Sequence, residues 1–425
     1  MVSVIIASIK GMRQLRDQAL NIVLYSHDTM GLGHIRRNIL LSQQLVNHYP
    51  KANVLIISGT RESNKFTLPN RVDLLTLPSL LKGTLGRYQS KNWDFSLREL
   101  IKLRSNIILS TIQRFKPDLM IVDNVPRGAC LELDETLRYI KDHLPTKVVL
   151  GLRDIKDDDE TVMREWRQQK YYEFIRDYYA QVWIYGDVIV YDWAEHCYFS
   201  DEFYKKIHYL GYLDQCRRLD NLSSAKETLD ALEKHQLNIK PFFLCLLGGG
   251  QDGFALGKAF CGSKIPDGFM GVLIIGPHMN PEERAILHAL KEQNSGLIVF
   301  DFLNEPTVFI KEATGIMSMG GYNNVLEILS YEKQAVIVPR VYPRTEQLIR
   351  AERLDSLNIV NLLKPEHLTS ESLTEWMERH CINQKSCARQ LLNLNGLDHL
   401  ILRIDDLLGL DAEPLANVLE IRQEK

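Results

Sequence analysis

Short runs that are apolar at nearly every position alternate with stretches of helical periodicity along most of the chain. In the first half these runs fall at 21–26, 53–58, 72–77, 118–123, 147–152, 182–185 and 208–213. A second series follows at 242–247, 272–275, 297–300, 315–318, 335–338 and 358–360. A strand that is apolar on both faces must be covered on both, and parallel sheets flanked by helices provide that cover. Apolar spacing at 43–49 and 100–115 predicts helices among the first series, and 369–379 and 385–394 read as helices after the second. Between 214 and 240 the alternation gives way to a polar, helix-prone stretch without a strand, which reads as a connection.

The pattern therefore predicts an α/β chain of two Rossmann-like domains whose parallel sheets face each other across a cleft. Their expected limits are an N-terminal extension at 1–20, a first domain at 21–213, a linker at 214–240, a second domain at 241–395 and a helical tail at 396–425. A length of 425 residues suits two domains better than one core.

Net charge and cysteine usage narrow the function classes. A net charge of -3 argues against bulk electrostatic binding of nucleic acid, so no nucleic-acid partner is expected. The seven cysteines (130, 197, 216, 245, 261, 381 and 387) are odd in number and form no C-x-x-C pair. That usage fits a reduced, cytoplasmic protein rather than a disulfide scaffold or a zinc site. Residues 1–9 are apolar but too few to span a bilayer, and their basic residues follow instead of preceding, so neither a signal peptide nor a membrane span is expected there.

Three glycine-rich turns stand where the chain leaves a strand and enters a helix. The first runs from His27 and Asp28 through Gly31 and Gly33 to His34; the second holds Gly248, Gly249, Gly250, Gln251 and Asp252; the third is Gly320-Gly321-Tyr322-Asn323-Asn324, before a helix at 325–330. Glycine lets backbone approach a ligand closely, and the unpaired N–H groups opening the next helix attract anions. Each turn alone reads equally well as a steric necessity, and none has the dinucleotide G-x-G-x-x-G or Walker A spacing. Three at matching places point to a phosphate ligand in the cleft, where open α/β sheets bind. Asn323 and Asn324 serve equally as caps of the third turn's helix.

The stretch 297–354 carries a more specific series: Phe302-Leu303 after a strand, Gly320-Gly321, Glu327 on the next helix, Val338-Pro339 at a strand end, then Glu346-Gln347. In order and spacing this resembles the donor-binding half of GT-B glycosyltransferases, in particular the family that includes the peptidoglycan lipid-intermediate N-acetylglucosaminyltransferase. The resemblance implies that the first domain binds an acceptor and the second a nucleotide sugar, with UDP favoured. Phe302 and Leu303 would frame the base, Gly320, Gly321, Tyr322, Asn323 and Asn324 would cradle the diphosphate, and Glu327 would bind the ribose hydroxyls. Glu346 and Gln347 would bind the sugar, while Gly249, Gly250 and Gln251, with Gly31 and Gly33 of the first turn, would close over the phosphates. The residue-by-residue alternatives are a helix-surface carboxylate for Glu327, a core aromatic for Phe302 and a solvated side chain for Gln347. The chain departs from its relatives at His27-Asp28, at Met319, at the bulky Tyr322 and at Arg340 and Arg344, which bears on the identity of the sugar more than on the nucleotide.

The expected activity is transfer of a sugar to an unidentified acceptor hydroxyl with inversion, without a required cofactor or metal, because helix N-termini and arginines can stabilise a diphosphate leaving group. No D-x-D triplet follows a second-domain strand, and Asp157-Asp158-Asp159 reads as a solvated turn. His34 is the candidate base, with Asp123 as its support and Asp28 as the alternative partner; the competing reading makes His34 a helix-start residue without chemistry. Alternatives to transfer are a nucleotide-sugar 2-epimerase of the same fold and a non-catalytic nucleotide-sugar-binding protein.

For the acceptor side, the segment 71–116 holds basic residues at 71, 82, 87, 91, 98, 102, 104, 114 and 116 against acids at 73, 94 and 99, interleaved with Leu77, Leu80, Leu81, Leu85, Trp93 and Phe95. Two readings stand: a peripheral contact with the inner face of the membrane or a lipid-linked acceptor, and a solvated helix face with its apolar side in the core.

Overall fold

A computed structural model describes residues 19–27, 33–82, 88–197, 200–220, 226–303, 305–382 and 384–410. Two parallel sheets form from the strand runs. The first has the spatial order Val72–Thr76, Asn53–Ser58, Asn21–Ser26, Leu119–Asp123, Lys147–Arg153, Gln181–Tyr185, Ile207–Tyr209. The second has the order Leu297–Phe300, Met270–Ile274, Phe242–Leu246, Gly315–Ser318, Ala335–Ile337, Asn361–Leu362. Central strands such as Leu119–Asp123 and Phe242–Leu246 are buried at every position, which is why they read as unbroken apolar runs.

The strand order reverses beside the first strand of each sheet. Asn21–Ser26 lies between Asn53–Ser58 and Leu119–Asp123, and Phe242–Leu246 lies between Met270–Ile274 and Gly315–Ser318. Loops leaving neighbouring strands diverge at such a reversal, and the crevice between them is where this architecture holds ligands.

Three sequence expectations are corrected. The run 358–360 is the exit of the Glu346–Ser356 helix: Asn358 has φ 54°, Asn358 N–H donates to Asp355 O and Ile359 N–H to Leu354 O, and the edge strand starts only at Asn361. Its apolarity serves burial of Ile359 and Val360. The strand expected at 208–213 is Ile207–Tyr209, after which Gly211, with φ 89°, turns the chain so that Leu213 bridges to Asn395. Within 385–394 only Ala388–Leu391 is helical, because Asn393 turns its backbone outward, its carbonyl accepting from Tyr212 N and its N–H donating to the Asp187 carboxylate. Beyond the strand runs, a small antiparallel hairpin, Leu80–Lys82 with Tyr88–Ser90, had no counterpart in the sequence reading.

The chain then returns to the first sheet. The Gly396–Leu408 helix packs on Gly33–His48, where Tyr49 Oη donates to Asp405 at 2.6 Å and Arg217 donates to both Asp398 oxygens at 2.9 Å. Between 214 and 240 lie the Gln215–Asp220 turn and the Lys226–Lys234 helix.

The basic segment 71–116 divides. Arg71 donates to backbone carbonyls of Ala52 and Lys51, and Arg104 forms a buried bidentate pair with Glu132 (2.5 and 2.7 Å), so those two charges hold the fold together. Leu77 and Leu80 are buried, whereas Leu81, Trp93 and Phe95 are exposed, the last two stacked edge to face. Leu85 and Arg87 lie outside the described residues. No described helix is long and apolar enough to cross a membrane.

Candidate functional site

Loops from the carboxyl ends of both sheets converge on a cleft of ≈ 330 Å³. From the first half it is lined by Gly33, His34, Arg36, Arg37 and Arg153; from the second by the Gly248–Asp252 turn, Gly276–His278, Phe302, Leu303, Gly321–Asn324, Arg340 and Gln347.

His34 sits in the first turn of the Gly33–His48 helix, and Asp123 ends the neighbouring strand, so the strand reversal brings the two together. Their His34 Nδ1 to Asp123 Oδ2 distance is 2.8 Å. With Nδ1–H donating to the carboxylate, the lone pair on Nε2 is left as the ring's proton acceptor. Asp123 Oδ1 accepts from Arg37 at 2.5 Å, and Asn38 Nδ2 lies 3.4 Å from Oδ2. Burial alone would raise the Asp123 carboxyl; Arg37 and His34 outweigh it and hold the group well below the usual carboxylate range. Asp123 therefore stays an anion that fixes the imidazole's tautomer and orientation. The alternative partner, Asp28, lies outside the described residues, as does Gly31.

On the opposite wall, Gly248 and Gly250 adopt φ 64° and 92°, and a Cβ on Gly250 would press on Ile275 O and Met279 N at 3.0 Å. Glycine is required there to keep the turn flat against its neighbour. The third turn differs from expectation in one respect. The helix begins at Tyr322 with Gly321 as its N-cap, so Asn323 and Asn324 lie inside the first turn and do not cap it. The cap makes no side-chain hydrogen bond, which leaves the first N–H groups facing the cleft without a preceding carbonyl to bind. Asn324 Nδ2 donates to Ser318 Oγ at 3.3 Å, and Asn323 reaches across to Gly33, where any side chain would run into it. The first and third turns thus touch.

Three of the candidate residues stand behind this lining. Gly320 gives its carbonyl to Arg350 at 3.0 Å. Glu327 is buried, and its Oε1 accepts from Arg218 at 2.6 Å; Arg218 also grips both oxygens of Glu305 (2.9 and 2.6 Å). Burial raises the Glu327 carboxyl, while Glu305, somewhat less enclosed, is held below its ordinary value by Arg218 and Arg36. Glu346 Oε1 accepts from Arg340 at 2.6 Å, but its Oε2 is buried without a partner among the described residues. Gln347 Oε1 accepts from Arg340 N at 3.1 Å. Leu303 is buried and Phe302 37% exposed, so Phe302 is not a core aromatic.

Tyr322 spans the two halves. Its hydroxyl donates to Tyr185 O at 2.7 Å, and its ring lies between the guanidinium groups of Arg37 and Arg350, each 5.5 Å from the centroid. Nearby, the stretch read as a solvated acidic turn is solvated only in part, and the acid just before it is buried. Asp154 is buried in a bidentate pair with Arg350 (2.9 and 2.7 Å) and accepts from Tyr212 Oη at 2.9 Å; Asp157 is buried and accepts from Thr345 N at 2.9 Å. Asp158 and Asp159 stay half-exposed, Asp158 capping the Asp159–Gln168 helix. These acids serve as counter-ions to arginines of the second half.

Sequence reasoning missed Arg37, Arg218, Glu305 and Arg350. Arg37 was within reach, because it follows His34 by three residues and therefore shares its helix face. Arg218 and Glu305 meet Glu327 only through tertiary structure.

No protein-family model matches the chain, and no curated protein does. Among solved structures the fold is recurrent, and it is the GT-B fold. The chain superposes on a glycosyltransferase from Rickettsia africae with a TM-score of 0.59 and 13% identity, over 92% of this chain and 99% of that one. MurG of Acinetobacter baumannii gives 0.56 and 14%, over 91% and 99%. UDP-GlcNAc 2-epimerase of Neisseria meningitidis, bound to UDP-GlcNAc, gives 0.58 and 13%, over 91% and 99%.

Proposed function

We propose that this protein is a glycosyltransferase that takes a sugar from a nucleotide-sugar donor, UDP-linked by resemblance, and passes it with inversion to an acceptor hydroxyl. The observation that carries this reading is the opening of the His34–Asp123 pair onto the same cleft as the glycine turns at Gly248–Gly250 and Gly321–Asn324. A base and an anion cradle in one crevice are what displacement of a diphosphate requires.

In this reading the acceptor hydroxyl gives its proton to His34 Nε2 while its oxygen attacks the anomeric carbon, and the bond to the diphosphate breaks. Asp123 stabilises the imidazolium that forms. The N–H groups opening the Tyr322–Ser330 helix, with Gly249, Gly250 and Gln251, take up the charge of the leaving group, so this chemistry calls for no metal. Phe302 and Leu303 frame the base. Glu327 binds the ribose hydroxyls, sharing its carboxylate with Arg218. Gln347 and the unpartnered Oε2 of Glu346 bind sugar hydroxyls. Exposed Trp93 and Phe95, close in sequence to Lys91, Arg98 and Lys102, support reading the 71–116 segment as the contact for a lipid-linked acceptor or an anionic membrane surface.

The test is a thermal-shift screen of nucleotides and nucleotide sugars, followed by product analysis with and without candidate acceptors. A ligand specific for the folded state raises its midpoint by mass action. Stabilisation by one nucleotide sugar with acceptor-dependent release of the nucleotide supports transfer. Turnover of the nucleotide sugar alone to an epimer supports the 2-epimerase, and binding without any turnover supports a non-catalytic protein.

A further inference from the structure

The cleft holds more positive charge than its own acids neutralise. Four of its lining residues are arginines, Arg36, Arg37, Arg153 and Arg340, against one lining acid, Asp252. Three of the four have acids at hand. Arg37 is bonded to Asp123, Arg340 to Asp252 and Glu346, and Arg36 lies in the field of Glu305 and Glu327. The Arg153 side chain has no hydrogen bond or ion pair with any described residue, and its Nε is enclosed without an acceptor. The adjacent Asp154 cannot serve it, because both oxygens of that carboxylate are taken by Arg350, Tyr212 and the Ile155 N–H.

Arg153 also feels like charge. Burial, then Arg350 and Arg37, disfavour its charged form, while Glu346 and Asp154 favour it without bonding to it. A guanidinium keeps its charge under such conditions; Arg153 is half-buried at the cleft wall, and its enclosed Nε is a desolvated donor left unpaired, which is costly. A fold that needed only structure at this position would place an apolar side chain there.

We propose, resting on the nucleotide-sugar reading above, that Arg153 receives a carboxylate or phosphate carried by the substrate beside the reacting centre, so that either the sugar being transferred or the acceptor is acidic. The position sets this anion apart from the donor diphosphate. Arg153 ends the strand paired with that of Asp123, on the side of the cleft that holds His34, whereas the diphosphate cradle belongs to the turns of the second sheet. Planar guanidinium donors match either anion in a two-pronged bond.

Calorimetric titration of the full chain and of Arg153→Met and Arg153→Lys with UDP, UDP-glucose and UDP-glucuronate, then of each UDP complex with inorganic phosphate, tests this. UDP should bind all three proteins alike. If the acid is on the sugar, UDP-glucuronate binds the unaltered protein roughly 10- to 100-fold tighter than UDP-glucose, the scale of a charged hydrogen bond. Arg153→Met abolishes that preference and Arg153→Lys keeps part of it. If the acid is on the acceptor, the two sugars bind alike and phosphate binds the UDP complex of the unaltered protein but not that of Arg153→Met. Arg153→Met should unfold no earlier than the unaltered protein, since it removes a charge that has no partner. The proposal is overturned if Arg153→Met weakens UDP itself, which would make Arg153 a diphosphate ligand, or if the three proteins do not differ. Should the unaltered protein bind no nucleotide at all, the functional reading fails; phosphate and free glucuronate titrated into the unliganded proteins still decide Arg153, by loss or retention of anion binding in Arg153→Met.

Discussion

Breaking the Asp154–Arg350 pair is the sharpest physical test of how the two halves are joined. Arg350 and Asp154 are essentially inaccessible to solvent, and the guanidinium makes two bonds to the carboxylate, one to Gly320 O at 3.0 Å and one to Ile155 O at 3.3 Å. Asp154→Asn keeps the shape but strands a buried cation, which costs about 3–5 kcal/mol. Arg350→Met strands the anion, though Tyr212 and the Ile155 N–H still solvate it, and also frees the Gly320 and Ile155 carbonyls at ~1 kcal/mol each. At roughly 2–4 °C per kcal/mol for a domain of this size, either change lowers the unfolding midpoint by about 10 °C. Asp154→Leu combined with Arg350→Met should cost less than the sum of its parts, because an apolar pair leaves no orphan charge. Urea unfolding reads this with Trp166, Trp183 and Trp193 reporting on the first half and Trp376 on the second. A single variant costing under about 1 kcal/mol, or a double variant that is strictly additive, would refute the argument that a desolvated ion pair governs this junction.

Replacing His34 with alanine should lower turnover by about 10²–10⁴-fold and leave donor affinity intact, the signature of a lost general base; near-normal turnover removes it from the mechanism. Glu327→Gln keeps the volume but weakens the charge-assisted bond, so stabilisation by the preferred nucleotide should fall while Arg218 retains Glu305; undiminished stabilisation would sink the ribose assignment. The fourth expectation concerns acid. Burial, then Arg403, pushes His208 down to about 4, so the fold favours its neutral form. A depressed value means that this stability is fully present above ~6.5 and is lost as pH falls towards 4, by about 3 kcal/mol in all. His208→Gln should flatten the decline in midpoint between those pH values, and an unchanged slope would show that other groups drive it.

Most of the strand framework was legible because burial on both faces writes itself as unbroken apolar runs. The failures share a cause. Ile359 and Val360 look like a strand because burial, not backbone geometry, makes a run apolar, and here a helix exit needs the burial. His34 and Asp123 were legible together because each ends or follows a strand at the reversal, a position that topology fixes. Asp157 was misread as solvated because its partners, Arg344 and Thr345, lie nearly two hundred positions along the chain. A single sequence displays charges but not pairings.

The same charges explain why the cleft needs so much buried acid behind it. The cleft concentrates arginines, and a guanidinium withdrawn from water is costly without an opposite charge close by. Asp123 meets Arg37, Glu305 and Glu327 meet Arg218, and Asp154 meets Arg350. Two of these three groupings use acids and cations from different parts of the chain to tie the second-half turns to the rest: Arg218 joins the connecting segment to the helix that follows Gly321, and Arg350 joins the first sheet to Gly320. The site's electrostatics and the junction of the two halves are therefore one construction. A substitution that removes an acid behind the cleft should disturb ligand affinity and interdomain stability together, whereas Arg153, which has no such counter-ion, should affect affinity alone.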